Sequence, residues 1–214
     1  MSEKMRVASL TLGMVSTRCY IVYHVDTKEG FIIDPAGESG RIITTCNQLQ
    51  ITPKAILLTH GHFDHMLAAK ECSNHFNIEI YAHEEEVELL ANGSYNLSAL
   101  WSTSMGISAD KLVKDGDKLQ LCGFDLQVIH TPGHTPGSVC YYCEEEHVLF
   151  SGDTLFCRSL GRTDFPLSST AHIIRSIREK LFVLPEDTLV YPGHDSETTI
   201  GEEKIYNPVA TYKG

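Results

Sequence analysis

The chain has no apolar run long enough to cross a bilayer, and its opening, MSEKMRVASL, has no hydrophobic signal core. Neither a membrane anchor nor a secretory leader is expected, which makes the cytoplasm the default compartment. Basic residues are scarce, with 17 Lys and Arg against 28 Asp and Glu for a formal charge of -11, and they never form a long cluster. A nucleic-acid partner wants a basic stripe and is disfavoured. Low-complexity tracts are also missing, and the 16 Gly and 8 Pro gather in turns and loops instead of a linker. The seven Cys are odd in number and sit mostly in apolar or helical contexts, so a disulfide framework is not expected. Cys19, Cys122 and Cys140 read as buried small side chains. Cys140 and Cys143, three apart in one strand, should face opposite sides and cannot chelate together. What remains is one compact domain, residues 1–214, whose 42% hydrophobic content suffices for a sizeable core.

Against that background one segment stands out. THGHFDH, residues 59–65, places His60, His62, Asp64 and His65 within six residues, after the apolar run 54–58. Side chains alternate along extended chain, so His60 and His62 can point together toward one metal while the turn offers Asp64 and His65 to a second. A lone Asp here could be a helix cap and a lone His structural, but four metal-capable side chains in six residues are hard to explain as packing. Four ligands do not complete two metal shells. The rest must come from later in the chain: His134 in TPGHTPG, Asp153 in SGDTLF and His194 in YPGHD, each just past a short apolar strand. Strand C-termini are where sheets with α/β units present ligands.

The other histidines read differently. His24, His75 and His83 fit packing, capping or solvated positions, and His147 follows a turn. His130, four residues before His134, fits a supporting role that holds a ligand histidine in one tautomer. Asp34 and Thr59 are candidates for the same kind of support. Cys157, Arg158 and Arg162 follow Asp153 on a loop. The arginines could add positive charge to the site or be solvated.

The pattern predicts strands at 6–12, 19–25, 31–33, 55–58, 78–81, 118–121, 124–130, 138–143, 148–150 and 188–191. Helices are predicted at 39–49, 66–75, 83–90 and 169–181, and a looped insertion containing Trp101 at 92–108. Such an α/β order suits two sheets packed face to face with helices outside.

In order and spacing, THGHFDH, TPGHT, SGDTLF and YPGHD resemble the metallo-β-lactamase superfamily, whose fold is a four-layer αββα sandwich. The resemblance implies that His60, His62 and His134 hold one metal, that Asp64, His65 and His194 hold a second, and that Asp153 bridges them. Asp64 and Asp153 are then the carboxylates of the catalytic centre. β-Lactamases usually carry Cys where this chain has Asp153, so antibiotic hydrolysis is not the expected activity. GRTDF, residues 161–165, and TTIGEEKIYNP, residues 198–208, resemble the small single-domain members of the glyoxalase II-like (hydroxyacylglutathione hydrolase-like) branch. The C-terminal helical domain that supplies much of the glutathione pocket in full-length hydroxyacylglutathione hydrolases is not expected here.

The expected activity is hydrolysis of acyl thioesters such as S-lactoylglutathione, with two Zn2+ per chain. Paired zinc can lower the pKa of a shared water toward about 7, and the metals supply positive charge that residue counting omits. A thiolate leaves without a dedicated protein acid because thiol pKa is about 8.5. The alternative is a glutathione persulfide dioxygenase, whose branch has similar motifs and resembles an oxidoreductase holding one iron. Imidazole and carboxylate ligands suit iron as well as zinc. The substrate is expected to be a small molecule, and a homo-oligomer is left open.

Overall fold

The computed structural model describes residues 4–101 and 104–212, so residues 102 and 103 of the expected insertion lie outside the described residues. The first half runs β1 (Met5–Leu12), β2 (Thr17–His24), β3 (Glu29–Ile33), α1 (Ser39–Leu49), β4 (Thr52–Leu57), α2 (Phe63–Met66), α3 (Ala69–Phe76), β5 (Glu79–His83), α4 (Val87–Ala91) and β6 (Lys111–Val113). The second runs β7 (Lys118–Leu121), β8 (Phe124–His130), β9 (Val139–Cys143), β10 (Val148–Gly152), β11 (Leu155–Phe156), β12 (Ser159–Leu160), α5 (Thr170–Ser176), β13 (Leu189–Pro192), β14 (Thr198–Thr199), α6 (Ile200–Tyr206) and α7 (Pro208–Thr211).

Strands β1 to β6 form one six-stranded sheet in chain order, antiparallel from β1 to β3 and parallel from β3 to β6. A second six-stranded sheet has the order β14-β13-β10-β9-β8-β7. Alternation along each strand sends one set of side chains to each face. Tyr20, Val22, Phe31, Ile33 and Leu57 meet Leu126, Val128, Tyr141 and Phe150 between the sheets. The residues between them, Ile21, Ile32 and Ile56, face the other way onto Ile42 and Cys46 of α1 and Cys72 of α3. On the second sheet Cys140, Tyr142 and Leu149 pack on Ile173 and Ile177. These three clusters are the interfaces of a helix–sheet–sheet–helix sandwich, the αββα architecture. Cys140 and Cys143 do fall on opposite faces, and every cysteine is free.

Several elements depart from the pattern. The helix expected at 66–75 starts at Phe63 and divides into α2 and α3. At the division the Ala68 amide donates to Pro35 O, on the loop after β3. Asp64 thus lies inside a helical turn rather than capping one. His83 ends β5, and a 3-10 turn, Glu84–Glu86, precedes α4. Within the insertion, Ser98–Trp101 forms another 3-10 turn. β6 is a three-residue, largely exposed strand, too short for its alternation to register. α5 continues as a π-helical turn, Ile177–Leu181. No helix among the described residues is long and apolar enough to cross a membrane.

Candidate metal centre

The strand ends converge. The loop after β4 carries His60 and His62, the β8–β9 loop His134, the turn after β10 Asp153, and the turn after β13 His194. β10 and β13 run parallel, so Asp153 and His194 emerge at the same edge of the second sheet. Hydrogen bonds between the halves tie these ends together: Val139 N to Thr59 O at 2.8 Å, Arg18 N to Gly193 O at 2.7 Å, Tyr141 Oη to Leu58 O at 2.9 Å and Tyr20 Oη to Pro192 O at 2.6 Å.

All seven residues singled out by the sequence meet at this edge. His60, His62 and His134 form one cluster whose ligand-capable atoms lie within 4.8 Å of one another; Asp64, His65 and His194 form another, and His60, His65 and Asp153 a third between them. His62 Nδ1 stands 2.9 Å from His134 Nε2. Asp153 is central, with Oδ1 3.3 Å from His65 Nε2 and Oδ2 3.5 Å from His134 Nε2 and 3.6 Å from His194 Nε2. Asp64 Oδ2 is 3.3 Å from His194 Nε2 and 3.5 Å from His65 Nε2.

Neighbours decide which ring nitrogen each histidine offers. His65 Nδ1 donates to Asp34 Oδ2 at 2.8 Å. The Thr59 hydroxyl donates to the same oxygen at 2.6 Å and lies 3.1 Å from His60 Nδ1, from which it accepts. Asp34 Oδ1 takes the Thr59 amide at 2.8 Å. The two residues expected to support the cluster therefore do so, turning Nε2 of His60 and His65 inward. His134 Nδ1 donates to Arg162 O at 2.8 Å, so a backbone carbonyl holds this ring and not His130. His130 instead stacks on His83 at 4.1 Å and bonds Pro136 O at 2.8 Å, away from His134. The i, i+4 spacing that suggested support has no helical meaning in the turn after β8.

Three contributors had no local signal. Thr17 Oγ1 donates to Asp64 Oδ2 at 2.7 Å across 47 positions. Glu86 accepts Gly61 N on one carboxylate oxygen and Thr135 Oγ1 and Gly137 N on the other, each at 2.7 Å, joining the loop of His60 and His62 to that of His134. The third is the Arg162 carbonyl.

Burial and charge sort the donors. Burial, reinforced by the His134 charge, pushes His62 down to about 3. Burial likewise lowers His60 and His134. Burial alone would raise Asp64, but the His65 charge and bonds from His194 and Thr17 bring it to about 2. Asp153 is held well below the usual carboxylate range in the same way: burial opposes, and His65, His134 and His194 outweigh it. His65 is raised against its burial by Asp153, Asp64 and Asp34. His60, His62 and His134 are thus held as neutral imidazoles beside ionised carboxylates, the protonation states that bind a metal, while against their burial the same carboxylates raise His65 and His194. Nε2 of His60, His62 and His65 and Oδ1 of Asp153 are buried without hydrogen-bond partners. Of these, the atoms of His60, His65 and Asp153 belong to one cluster, and His62 offers Nδ1, 2.9 Å from His134 Nε2, to the next; buried polar atoms left so are costly unless a cation satisfies them, so the residues fit a metal.

Above the cluster opens a cavity of about 490 Å³. Asp64, His134, Asp153 and His194 face into it; Val15, Phe63, Leu97, Leu100, Trp101, Phe156, Phe165 and Arg162 complete its lining. Arg158 lies off this wall, paired with Glu202 at 3.6 Å and over the Tyr206 ring at 4.7 Å. Cys157 is not part of the lining either.

Comparison with known proteins agrees with this geometry. Hydroxyacylglutathione hydrolase GloC of Haemophilus influenzae is 36% identical over 98% of this chain and 100% of its own length. The crystal structure of BLEG-1 B3 metallo-beta-lactamase superposes with a TM-score of 0.93 at 41% identity, covering 97% of this chain and 100% of that one. That of TTHA1623 in a di-iron-bound form does so with a TM-score of 0.84 at 33% identity, covering 94% and 99%. The profile of the metallo-beta-lactamase superfamily matches residues 12–194, which spans every strand-end residue of the cluster. The chain belongs to the metallo-β-lactamase superfamily, with a glyoxalase II-like hydrolase among its relatives, and is a metal-dependent enzyme of that superfamily.

Proposed function

We propose that this protein is a zinc-dependent thioester hydrolase, acting on small acyl thiols of the S-lactoylglutathione type. His60, His62 and His134 would hold one metal, Asp64, His65 and His194 the other, and Asp153 both. The observation that carries the reading is the set of orphaned, buried Nε2 and Oδ1 atoms that meet on Asp153 at the floor of an open cavity. The metals, when bound, supply Lewis acidity at the acyl oxygen and an acidified water.

The chain's own part is positioning. Asp34, Thr59 and the Arg162 carbonyl aim the imidazoles, and His65, His194 and Thr17 keep Asp64 ionised. Apolar walls limit the water around the acyl carbon. In the reaction a C–O bond forms from water, the C–S bond breaks, and the sulfur leaves with the electron pair, giving a carboxylic acid and a thiol. The leaving thiol has a pKa of about 8.5, so the site needs no separate acid.

Elemental analysis of purified protein, followed by a panel of thioesters, a β-lactam and a persulfide under oxygen, tests the proposal. Two zinc atoms per chain and chelator-sensitive thioester cleavage are expected. Intact thioesters with oxygen consumed on persulfide would replace the hydrolase reading by the dioxygenase one. The di-iron form of the relative makes iron the metal to assay beside zinc.

A further inference from the structure

Resting on the thioesterase reading but replacing its glutathione carrier by a neutral thiol, we infer that the cavity selects substrates with an apolar, uncharged arm, an aliphatic or aromatic thioester, and that Trp101 and Leu100 bind that arm. Charge is the first reason. A thiol carrier bearing carboxylates needs cations, and among the described residues the cavity lining holds one permanent cation, Arg162. Its guanidinium is already forked onto Asp164, Nε to Oδ1 at 2.9 Å and an Nη to Oδ2 at 2.7 Å, and lies over the Phe165 ring at 4.3 Å. The metals, when bound on the floor, face the acyl group, so the carrier meets the walls, where Val15, Leu97, Leu100, Trp101 and Phe156 are apolar, in a chain that carries -11. A carboxylate on the carrier thus meets apolar wall and a guanidinium already engaged.

Apolar surface is the second reason. The 3-10 turn Ser98–Trp101 presents Leu100, 75% exposed, and Trp101, 44% exposed, to the same cavity. The Trp101 ring sits 5.8 Å from that of Phe63, which immediately precedes Asp64, so the apolar wall is continuous with the metal-ligand cluster. Large apolar side chains left open gain by covering, and the covering group here must reach the acyl carbon on the floor. The arm of the substrate meets both conditions.

Trp101 is the one tryptophan of the chain, so its fluorescence reports occupancy without turnover. The experiment titrates the metal-loaded protein with non-hydrolysable S-alkyl thioethers of N-acetylcysteamine, from ethyl to hexyl, and with S-hexylglutathione. Hydrolysis of the matching thioesters is measured in parallel, for wild type and for Leu100→Ser, an exposed change that leaves the core intact. The expected result is Trp101 quenching whose Kd falls about fourfold per added methylene, weaker binding of the glutathione thioether, and a flattened chain-length dependence in Leu100→Ser. Tighter binding of S-hexylglutathione than of the neutral hexyl compound, or a Kd indifferent to chain length, overturns the inference. The activity can fail separately: thioethers that quench by this rule beside thioesters that are never cleaved refute the hydrolase reading and leave the apolar site standing.

Discussion

Replacing Glu86 by Gln perturbs the tie between the two histidine loops with little change of shape. The carboxylate is fully buried and receives three hydrogen bonds of 2.7 Å, from Gly61 N, Gly137 N and Thr135 Oγ1. An amide has one accepting oxygen, so whichever way it is turned, its NH2 group faces a backbone N–H. One buried bond is lost and a donor stranded, which costs about 1–3 kcal/mol. Protonated Glu86 avoids that conflict, because its O–H can donate to Thr135 Oγ1, whose own proton passes to Ser138 Oγ at 2.7 Å. Burial raises Glu86 from 4.5 to about 7, against the bonds from Thr135, Gly61 and Gly137 that pull it down. The folded value lies above the unfolded one, so the native protein keeps a proton between about pH 4.5 and 7 that the unfolded chain has released. The contribution of Glu86 is therefore complete below about pH 4.5 and lost as pH rises to about 7, a swing of about 3 kcal/mol. Gln has no such swing. The penalty of Glu86→Gln should be about 1–3 kcal/mol at pH 4.5 and should shrink by about 3 kcal/mol by pH 8, leaving the variant equal to or more stable than wild type. Urea denaturation of chelator-treated wild type and variant across this range measures the difference. A penalty that stays constant or grows with pH would refute the reasoning.

Asp153→Ala should bind neither metal well, whereas His194→Ala should lose chiefly one; metal-to-protein ratios after gel filtration separate the two results, and equal loss from both would break the bridging assignment. Asp34→Ala frees His65 Nδ1 and removes the acceptor of both Thr59 donors, so metal affinity should fall 10–100-fold, measured by competition with a chromogenic chelator. Gly193→Ala would set a Cβ 2.2 Å from Asp153 Oδ1 and 2.7 Å from His65 Cε1. Metal binding should drop at least tenfold while circular dichroism keeps the mixed α/β signature, and undiminished binding would show that the turn can yield.

The sequence by itself determined the cluster and the layers. THGHFDH compresses four donors into one turn, and the three later donors each follow an apolar strand, a pattern readable because strand alternation and strand ends are local properties. The same alternation placed Cys140 and Cys143 on opposite faces. Tertiary structure alone decided which imidazole nitrogen faces the centre, since Asp34 reaches His65 across 31 positions and Arg162 O reaches His134 across 28. It also moved the tautomer-setting role away from His130, divided the helix after His65 at Ala68, and made one wall of Val15, Leu97, Trp101, Phe156 and Phe165. Local periodicity reports neighbours within a turn or a strand. Contacts between the two halves depend on how the sheets pack, and Glu86, an acid inside an acidic run, looks solvated until that packing buries it against Gly61 and Gly137.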